Sequence, residues 1–312
     1  KPKIPKQQPT PPHTRKGGGT NKNSHEQTPS TMEKIYYISD AHLGSWGIPH
    51  ARMQERRLVR FLDSIKNQAK AVYLLGDMFD FWYEWKYAVP KGYTRFLGKI
   101  SELTDMGVEV HYFTGNHDIW MYGYLETECG VTLHRKPETI ELYNKVFYLA
   151  HGDGLGDPDR QFRMLRAIFR NTTCQRLFSM LHPRISMWLG MTWAKHSRMK
   201  RVKAMAQGTI ETEGAAGTQY NGNVTTGLNT SGEPEYMGED REHLVLYTKE
   251  YMISHPDIDY FIYGHRHIEL DLMLTATKRM MILGDWITQF TYAVFDGEHL
   301  LLSEYEEGET EF

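Results

Sequence analysis

Apolar and polar positions along this chain fall into blocks that switch between two periods. Ile35-Tyr36-Tyr37-Ile38 is a short apolar run ending at Ser39-Asp40, and it predicts a strand. Over 51–66, Leu58, Phe61, Leu62 and Ile65 fall at i, i+3, i+4 and i+7, the spacing of one helical face. Ala71 to Leu75 predicts the next strand, running into Gly76-Asp77. Phe96, Leu97 and Ile100 mark a second helix over roughly 93–106, stopped by Gly107. Further strands are predicted over 108–113, 146–150 and 258–263. Shorter ones are expected near 279–283, 290–296 and 299–305, with Asp296-Gly297 as a hairpin turn, closing a second sheet. The alternation predicts an α/β fold of two packed sheets with helices outside.

Two insertions interrupt that plan. Residues 158–206 read as consecutive amphipathic helices broken at Asn171-Thr172-Thr173 and at His182-Pro183. Residues 208–238 are rich in Gly, Thr, Asn and Glu without periodicity, as in a mobile loop. A helix over about 239–254 then rejoins the core. Before the first strand, residues 1–31 hold Lys, Pro, Gly, Thr and Asn and no apolar run, so a disordered tail is expected there and Met32 is a candidate start. The domain expected is 32–312, carrying the helical cap at 158–206 and the loop at 208–238.

Composition narrows the picture little. A chain of 312 residues, 40% hydrophobic and 24% charged, suits one large domain with an insertion. The two cysteines, Cys129 and Cys174, form no CxxC pair. That argues against a disulfide scaffold or a thiolate zinc site and favours a reducing compartment. No run of 18 apolar residues exists, so no spanning helix is expected. Charge is more informative. Asp159 to Lys203 carries eleven Lys/Arg against one acid, a local +10 in a chain of net charge −3. Such a split predicts one basic surface with its own partner.

The candidate chemistry sits where the strands end. Asp40-Ala41-His42, Gly76-Asp77, Gly115-Asn116-His117-Asp118, His151-Gly152-Asp153 and Gly264-His265-Arg266-His267 follow predicted strands in order. In α/β sheets that edge is where sites are built. Each motif alone reads as a turn; the ordered set reads as ligands that meet in space. Two divalent cations about 3.5–4 Å apart can share a hydroxide and polarise a phosphoryl oxygen. Asp40 and His42 at i and i+2 would be aimed alike by a strand end, and His265 and His267 repeat the spacing. Asp77 is the expected bridge, with one carboxylate oxygen for each cation. The first cation would take Asp40, His42, Asp77 and His267. The second would take Asp77, Asn116, His151 and His265. This mix of His, Asp and Asn without Cys favours Mn, Fe or Zn. His117 is left to protonate a leaving group or steady transition-state charge. Asp80, three residues past Asp77, could orient the His117 ring. Asp118 and Asp153 read as supporting or turn residues, and His111 as a packed strand residue.

This ordered set resembles the calcineurin-like metallophosphoesterase superfamily over roughly residues 34–305, apart from the insertions. The resemblance implies a four-layer αββα sandwich with a dinuclear site, and its ligand roles agree with those above.

The substrate must be read outside the ligands. Phe162, Leu165 and Phe169 share one helical stripe, Leu177, Met180 and Leu181 another, and Ile185, Trp188, Leu189 and Thr192 a third, with Arg and Lys between. Such faces match an interfacial element that grips lipid. The plainer alternative is a helical lid packed on the core with a solvated basic rim. Within the superfamily, a cap after His-Gly-Asp resembles the UDP-2,3-diacylglucosamine hydrolases of lipid A (lipopolysaccharide) biosynthesis. The stretch Trp193-Ala194-Lys195-His196-Ser197-Arg198 resembles their basic last cap helix. The resemblance implies hydrolysis of a nucleotide-activated glycolipid to UMP and 2,3-diacylglucosamine 1-phosphate. It implies two divalent ions, manganese first, and substrate contacts at Phe162, Trp188, Lys195, Ser197 and Arg198. It further implies a cytoplasmic enzyme held peripherally at the inner leaflet of the inner membrane, with no nucleic-acid partner. One departure is visible: the best-known branch carries Arg directly after the Asn ligand, where this chain has His117. The competing reading is a metallophosphoesterase for another phosphodiester or phosphomonoester, such as a nucleotide, nucleic acid or phosphoprotein.

Overall fold

The computed structural model describes residues 33–45, 51–157, 160–193 and 234–307. The expected tail at 1–31, most of the 208–238 loop, and Lys195, Ser197 and Arg198 lie outside the described residues, and nothing of the Phe162 side chain is described.

The first apolar run forms β1 (Lys34–Ile38), followed by α1 (Ala51–Ile65), β2 (Ala69–Leu74), α2 (Thr94–Asp105) and β3 (Glu109–Phe113). The predicted α1 face of Leu58, Phe61, Leu62 and Ile65 is fully buried against the first sheet. Each such side chain stabilises the packing by about 1.5–3 kcal/mol. A short α3 (Tyr124–Cys129), β4 (Thr132–His134) and β5 (Glu138–Leu142) follow, elements too short to show a period. Then come β6 (Lys145–Leu149), the cap, α7 (His243–Ser254), β7 (Tyr260–Tyr263), β8 (Glu269–Met273), β9 (Arg279–Leu283), β10 (Thr291–Phe295) and β11 (Leu300–Glu304).

Two sheets result. The six-stranded sheet runs β11-β10-β1-β2-β3-β4, and the five-stranded sheet runs β5-β6-β7-β9-β8. The expected second-sheet placement of the 290–305 hairpin is wrong. β10 pairs antiparallel with β1, with Tyr36 opposite Val294, so the hairpin extends the first sheet. Ile35, Tyr37, Tyr73, Phe113, Phe147, Leu149 and Ile262 fill the space between the sheets, and helices cover their outer faces.

The cap follows β6. It comprises α4 (Arg160–Arg170), α5 (Thr172–Ser179) and α6 over 183–193. Asn171 separates the first two as expected, its Oδ1 accepting from the Thr173 and Cys174 N–H groups as an N-cap. Such a cap contributes about 1 kcal/mol. Phe169, Phe178 and Met187, one from each cap helix, pack on Phe81, Tyr83, Ile119 and Trp120 of the core. Trp120 Nε1 donates to the Phe169 carbonyl at 2.9 Å, and the Tyr83 hydroxyl donates to the Gln175 carbonyl at 3.0 Å. No helix among the described residues is long and apolar enough to cross a membrane.

Candidate metal centre

All seven expected ligands lie just beyond strand ends, and the two sheets share them. Asp40 and His42 follow β1, Asp77 follows β2 and Asn116 follows β3, all in the six-stranded sheet. His151 follows β6, and His265 and His267 follow β7, in the five-stranded sheet. The centre therefore exists only where the two sheets meet.

The backbone here is not a continued strand. Asp40, His42, Asp77, His265 and His267 all have positive φ, between 43° and 68°. Non-glycine residues avoid this region, and its occupation at sites is strain held by surrounding structure. The i, i+2 alternation of a strand end therefore does not explain how these side chains converge. Left-handed turns aim them, locked by backbone hydrogen bonds from Asp40 N–H to the Gly76 carbonyl at 3.1 Å and from His42 N–H to the Asp77 carbonyl at 2.8 Å.

Three groups of side chains are each able to hold an ion: Asp40, His42 and His267; Asp77, His151 and His265; and, sharing His42, Asp80 with His117. The first two are the expected pair. His267 Nε2 lies 3.2 Å from His42 Nε2 and 3.3 Å from Asp40 Oδ1. Asp77 stands between the groups, but not with one oxygen on each side. Its Oδ1 accepts from the His117 backbone N–H at 2.8 Å, which leaves Oδ2 facing both His151 Nε2 at 3.3 Å and His42 Nε2 at 3.7 Å. His151 is turned by its Nδ1–H, which donates to the Leu75 carbonyl at 2.7 Å and leaves Nε2 for the site. Asp40 Oδ2 accepts from Ser39 Oγ at 2.6 Å and from the His265 N–H at 2.8 Å, so Oδ1 is left for the centre. Asp40 Oδ1, Asn116 Oδ1 and His151 Nε2 are buried without a well-formed hydrogen bond among the described residues. Buried polar atoms without partners are rare and costly. Three of them, all from a carboxylate, amide and imidazole donor set, fit a pair of cations.

Electrostatics agree. Burial would raise the Asp40 and Asp77 carboxyls, yet neighbouring imidazoles, His267 for Asp40 and His151 for Asp77, hold both well below the usual range. Against its own burial, His151 is raised to about 10 by Asp77. Burial, and then the charge on His151, push His265 well down. Two buried anions thus demand positive charge, which a proton on His151 meets in part; a cation would displace that proton.

His117 is buried, and burial lowers it to about 4. Its Nδ1–H donates to the Asp80 carbonyl at 2.8 Å, whereas the Asp80 carboxylate lies 3.9 Å from His117 and 3.5 Å from His42 Nδ1. The main chain of Asp80, not its carboxylate, orients His117. Asp118 is a supporting residue: it accepts from the Gly115 N–H at 2.7 Å and from the Tyr112 hydroxyl at 2.5 Å, and burial raises it to about 6. Asp153 moors the cap, accepting from Arg166 and Arg170 of α4. His111 packs in β3 as expected, its ring 4.4 Å from that of Tyr73.

One residue escaped sequence reasoning. Asp285 Oδ2 lies 3.2 Å from His267 Nδ1, while Oδ1 accepts from the Ile287, Thr288 and Gln289 N–H groups. It follows β9 in Gly284-Asp285, the same strand-end dipeptide as Gly76-Asp77, and that repeat was the available signal. Of the expected substrate residues, Trp188 is 63% exposed on the cap. A narrow cleft is lined by Asn116 and Ile119 on the core side and by Leu165, Arg166, Phe169 and Trp193 on the cap.

Candidate ligands at strand ends of two sheets point to a class, and comparison with known proteins gives it. The chain belongs to the calcineurin-like phosphoesterase family, whose model matches residues 33–269. It is a metal-dependent hydrolase. A UDP-2,3-diacylglucosamine hydrolase from Porphyromonas gingivalis is 40% identical over 277 residues, 88% of this chain and 99% of that relative. One of the same name from Neisseria meningitidis is 35% identical over 151 residues, 48% of this chain and 61% of that relative. Among solved structures, a dimetal phosphatase from Danio rerio is similar at 13% identity and a TM-score of 0.40, covering 88% of this chain and all of that one.

Proposed function

We propose that this protein hydrolyses the pyrophosphate of UDP-2,3-diacylglucosamine, consuming one water and giving UMP and 2,3-diacylglucosamine 1-phosphate for lipid A. One observation carries the reading: a candidate ligand and the apolar side of the cap line the same cleft. A substrate with a phosphate at one end and acyl chains at the other fits that arrangement. The end-to-end likeness to the Porphyromonas gingivalis hydrolase supports it.

Asp40, His42, Asp77 and His267 would hold one cation, and Asp77, Asn116, His151 and His265 the other. When bound, the pair supplies Lewis acidity at the phosphoryl oxygens. We assign manganese, from imidazole, carboxylate and amide donors without thiolate. His117 keeps its Nδ1 proton on the Asp80 carbonyl, so Nε2 is the ring atom left for the departing oxygen. Burial favours the neutral ring, so carrying a proton there draws on the negative charge of bound phosphate to restore the imidazolium. Arg166 lines the cleft beside Asn116, its guanidinium paired with Asp153. Met164, Leu177, Met180, Ile185, Trp188 and Met191 stand exposed on the cap, alongside its arginines. Apolar side chains among cations suit an anionic lipid surface. We therefore place the enzyme peripherally at the inner leaflet, on the cytoplasmic side, with no nucleic-acid partner.

The test incubates purified protein with manganese and UDP-2,3-diacylglucosamine and looks for UMP by mass spectrometry, beside bis-p-nitrophenyl phosphate. UMP release is expected. Hydrolysis of the small diester alone would leave a phosphoesterase with a different substrate.

A further inference from the structure

His117 is packed between the cap and the core. Trp193 of α6 lies against its ring, centroids 5.5 Å apart and planes at 44°. On the core side the His42 ring meets it edge-on at 4.7 Å and 88°. One turn before Trp193, Gly190 rests on the Phe81 ring so closely that an added Cβ would overlap it. Phe81 directly follows Asp80, whose carbonyl holds His117 Nδ1. Trp193 is itself braced, its ring edge-on to Phe169 of α4 at 5.0 Å and 81°. Phe169 in turn packs edge-on to Trp120, which donates to its carbonyl.

We infer that Trp193 is a positioning residue for His117, so that a seated cap is a condition for His117 to reach the leaving oxygen. The inference rests on the role given above to His117. Its physical basis is geometric. Among the described residues the imidazole has one hydrogen bond, through Nδ1, and a single bond leaves the ring free to swing about the axis it defines. His42 blocks the swing on one side. On the other side the Trp193 ring, tilted at 44°, stands against it. Without that face the Nε2 atom is no longer fixed, and a displacement near 1 Å can cost about 100-fold in rate. The consequence is selectivity by coupling: a substrate that keeps the cap seated meets an aligned His117, and one that does not meets a loose one.

The test uses the full chain loaded with manganese and a series of aryl and alkyl phosphodiesters of rising leaving-group pKa. His117→Ala is expected to lower kcat by about 100-fold on poor leaving groups and far less on p-nitrophenyl esters. Trp193→Ala is expected to lower kcat by about 10-fold on the same poor leaving groups, with KM nearly unchanged. Trp193→Phe should restore most of that loss. The double variant should be no slower than His117→Ala alone, because a residue acting through His117 has nothing left to position. Additive losses, or a Trp193→Ala effect confined to KM of the diacylated substrate, would overturn the inference and make Trp193 an acyl contact. If His117→Ala itself leaves the leaving-group dependence unchanged, the role given to His117 is what fails, and the inference falls with it. Should Trp193→Ala fold poorly, Trp193→Leu fills the space without a planar face, and the His117 ring proton shifts in the NMR spectrum of protein loaded with diamagnetic zinc report its position directly. Unmoved shifts in Trp193→Leu count against the contact.

Discussion

His267 and Asp285 meet through Nδ1 and Oδ2 at 3.2 Å, and the second carboxylate oxygen of Asp285 caps the turn that follows. The same side chain thus fixes one ligand and folds its own loop. Asp285→Asn keeps an acceptor for the turn and weakens the contact to His267. Removal of such a supporting carboxylate is expected to weaken cation affinity by about 10- to 100-fold with little loss of fold. Calorimetric titration with manganese checks it; unchanged affinity would mean that His267 needs no such partner.

Asp77 faces both ligand groups through one oxygen. Asp77→Asn is expected to lower turnover by at least about 1,000-fold, because the shared anion is lost. Near-normal activity with bis-p-nitrophenyl phosphate would reject the two-cation scheme.

Gly264 approaches Ser39 and Asp40 so closely that a Cβ there would overlap both side chains. Its φ is not in the left-handed region, so Gly264→Ala tests close approach alone. Overpacking of this kind costs about 1–3 kcal/mol. Displacement of Asp40 should also strip the protein of metal, read by elemental analysis beside a denaturant curve.

Because the ligands come from both sheets, cation binding should hold the sheets together. At about 100 times its Kd a cation adds about 2.7 kcal/mol to the folded state. For a chain of this size that is roughly 4 °C in Tm. Chelation by EDTA should reverse the gain; a Tm indifferent to manganese would show that the ligands do not bind it in the folded state.

Away from the centre, His111 Nδ1 and His134 Nε2 are 3.0 Å apart on β3 and β4, with Glu109 and Glu138 at the outer ring nitrogens. Burial lowers both imidazoles below their ordinary 6.5, Glu109 and Glu138 opposing. Between the lowered value and 6.5 the unfolded chain binds more protons, so this contribution is full above 6.5 and is lost as pH falls below it. The double variant His111→Phe/His134→Leu should therefore lose less Tm than the wild type between about pH 7 and pH 5. Parallel losses would refute it.

Much of this was readable in the residues, and the unreadable parts have physical causes. The strands and ligands declared themselves because an apolar run followed by Asp, Asn or His leaves few other readings. The left-handed turns did not, because φ at Asp40 or His265 is set by hydrogen bonds to segments distant in sequence. The 290–305 hairpin was visible as a local pair, but its sheet depends on Tyr36 meeting Val294, a contact no local pattern encodes. In the cap, periodicity marked apolar faces without saying what covers them: Phe169, Phe178 and Met187 turn to the core, whereas Leu177, Met180 and Trp188 do not. Asp285 stands in the same strand-end dipeptide as Asp77, and its role shows only through its contact with His267.

The mooring of α4 to Asp153 makes the cap a detachable part with a specified plug. Anyone transplanting a different helical lid onto this scaffold would have to supply guanidinium groups where Arg166 and Arg170 now stand. A foreign lid lacking them would leave a sealed-in negative charge two residues from His151, and the chimera would fail at the socket before its new specificity could be measured.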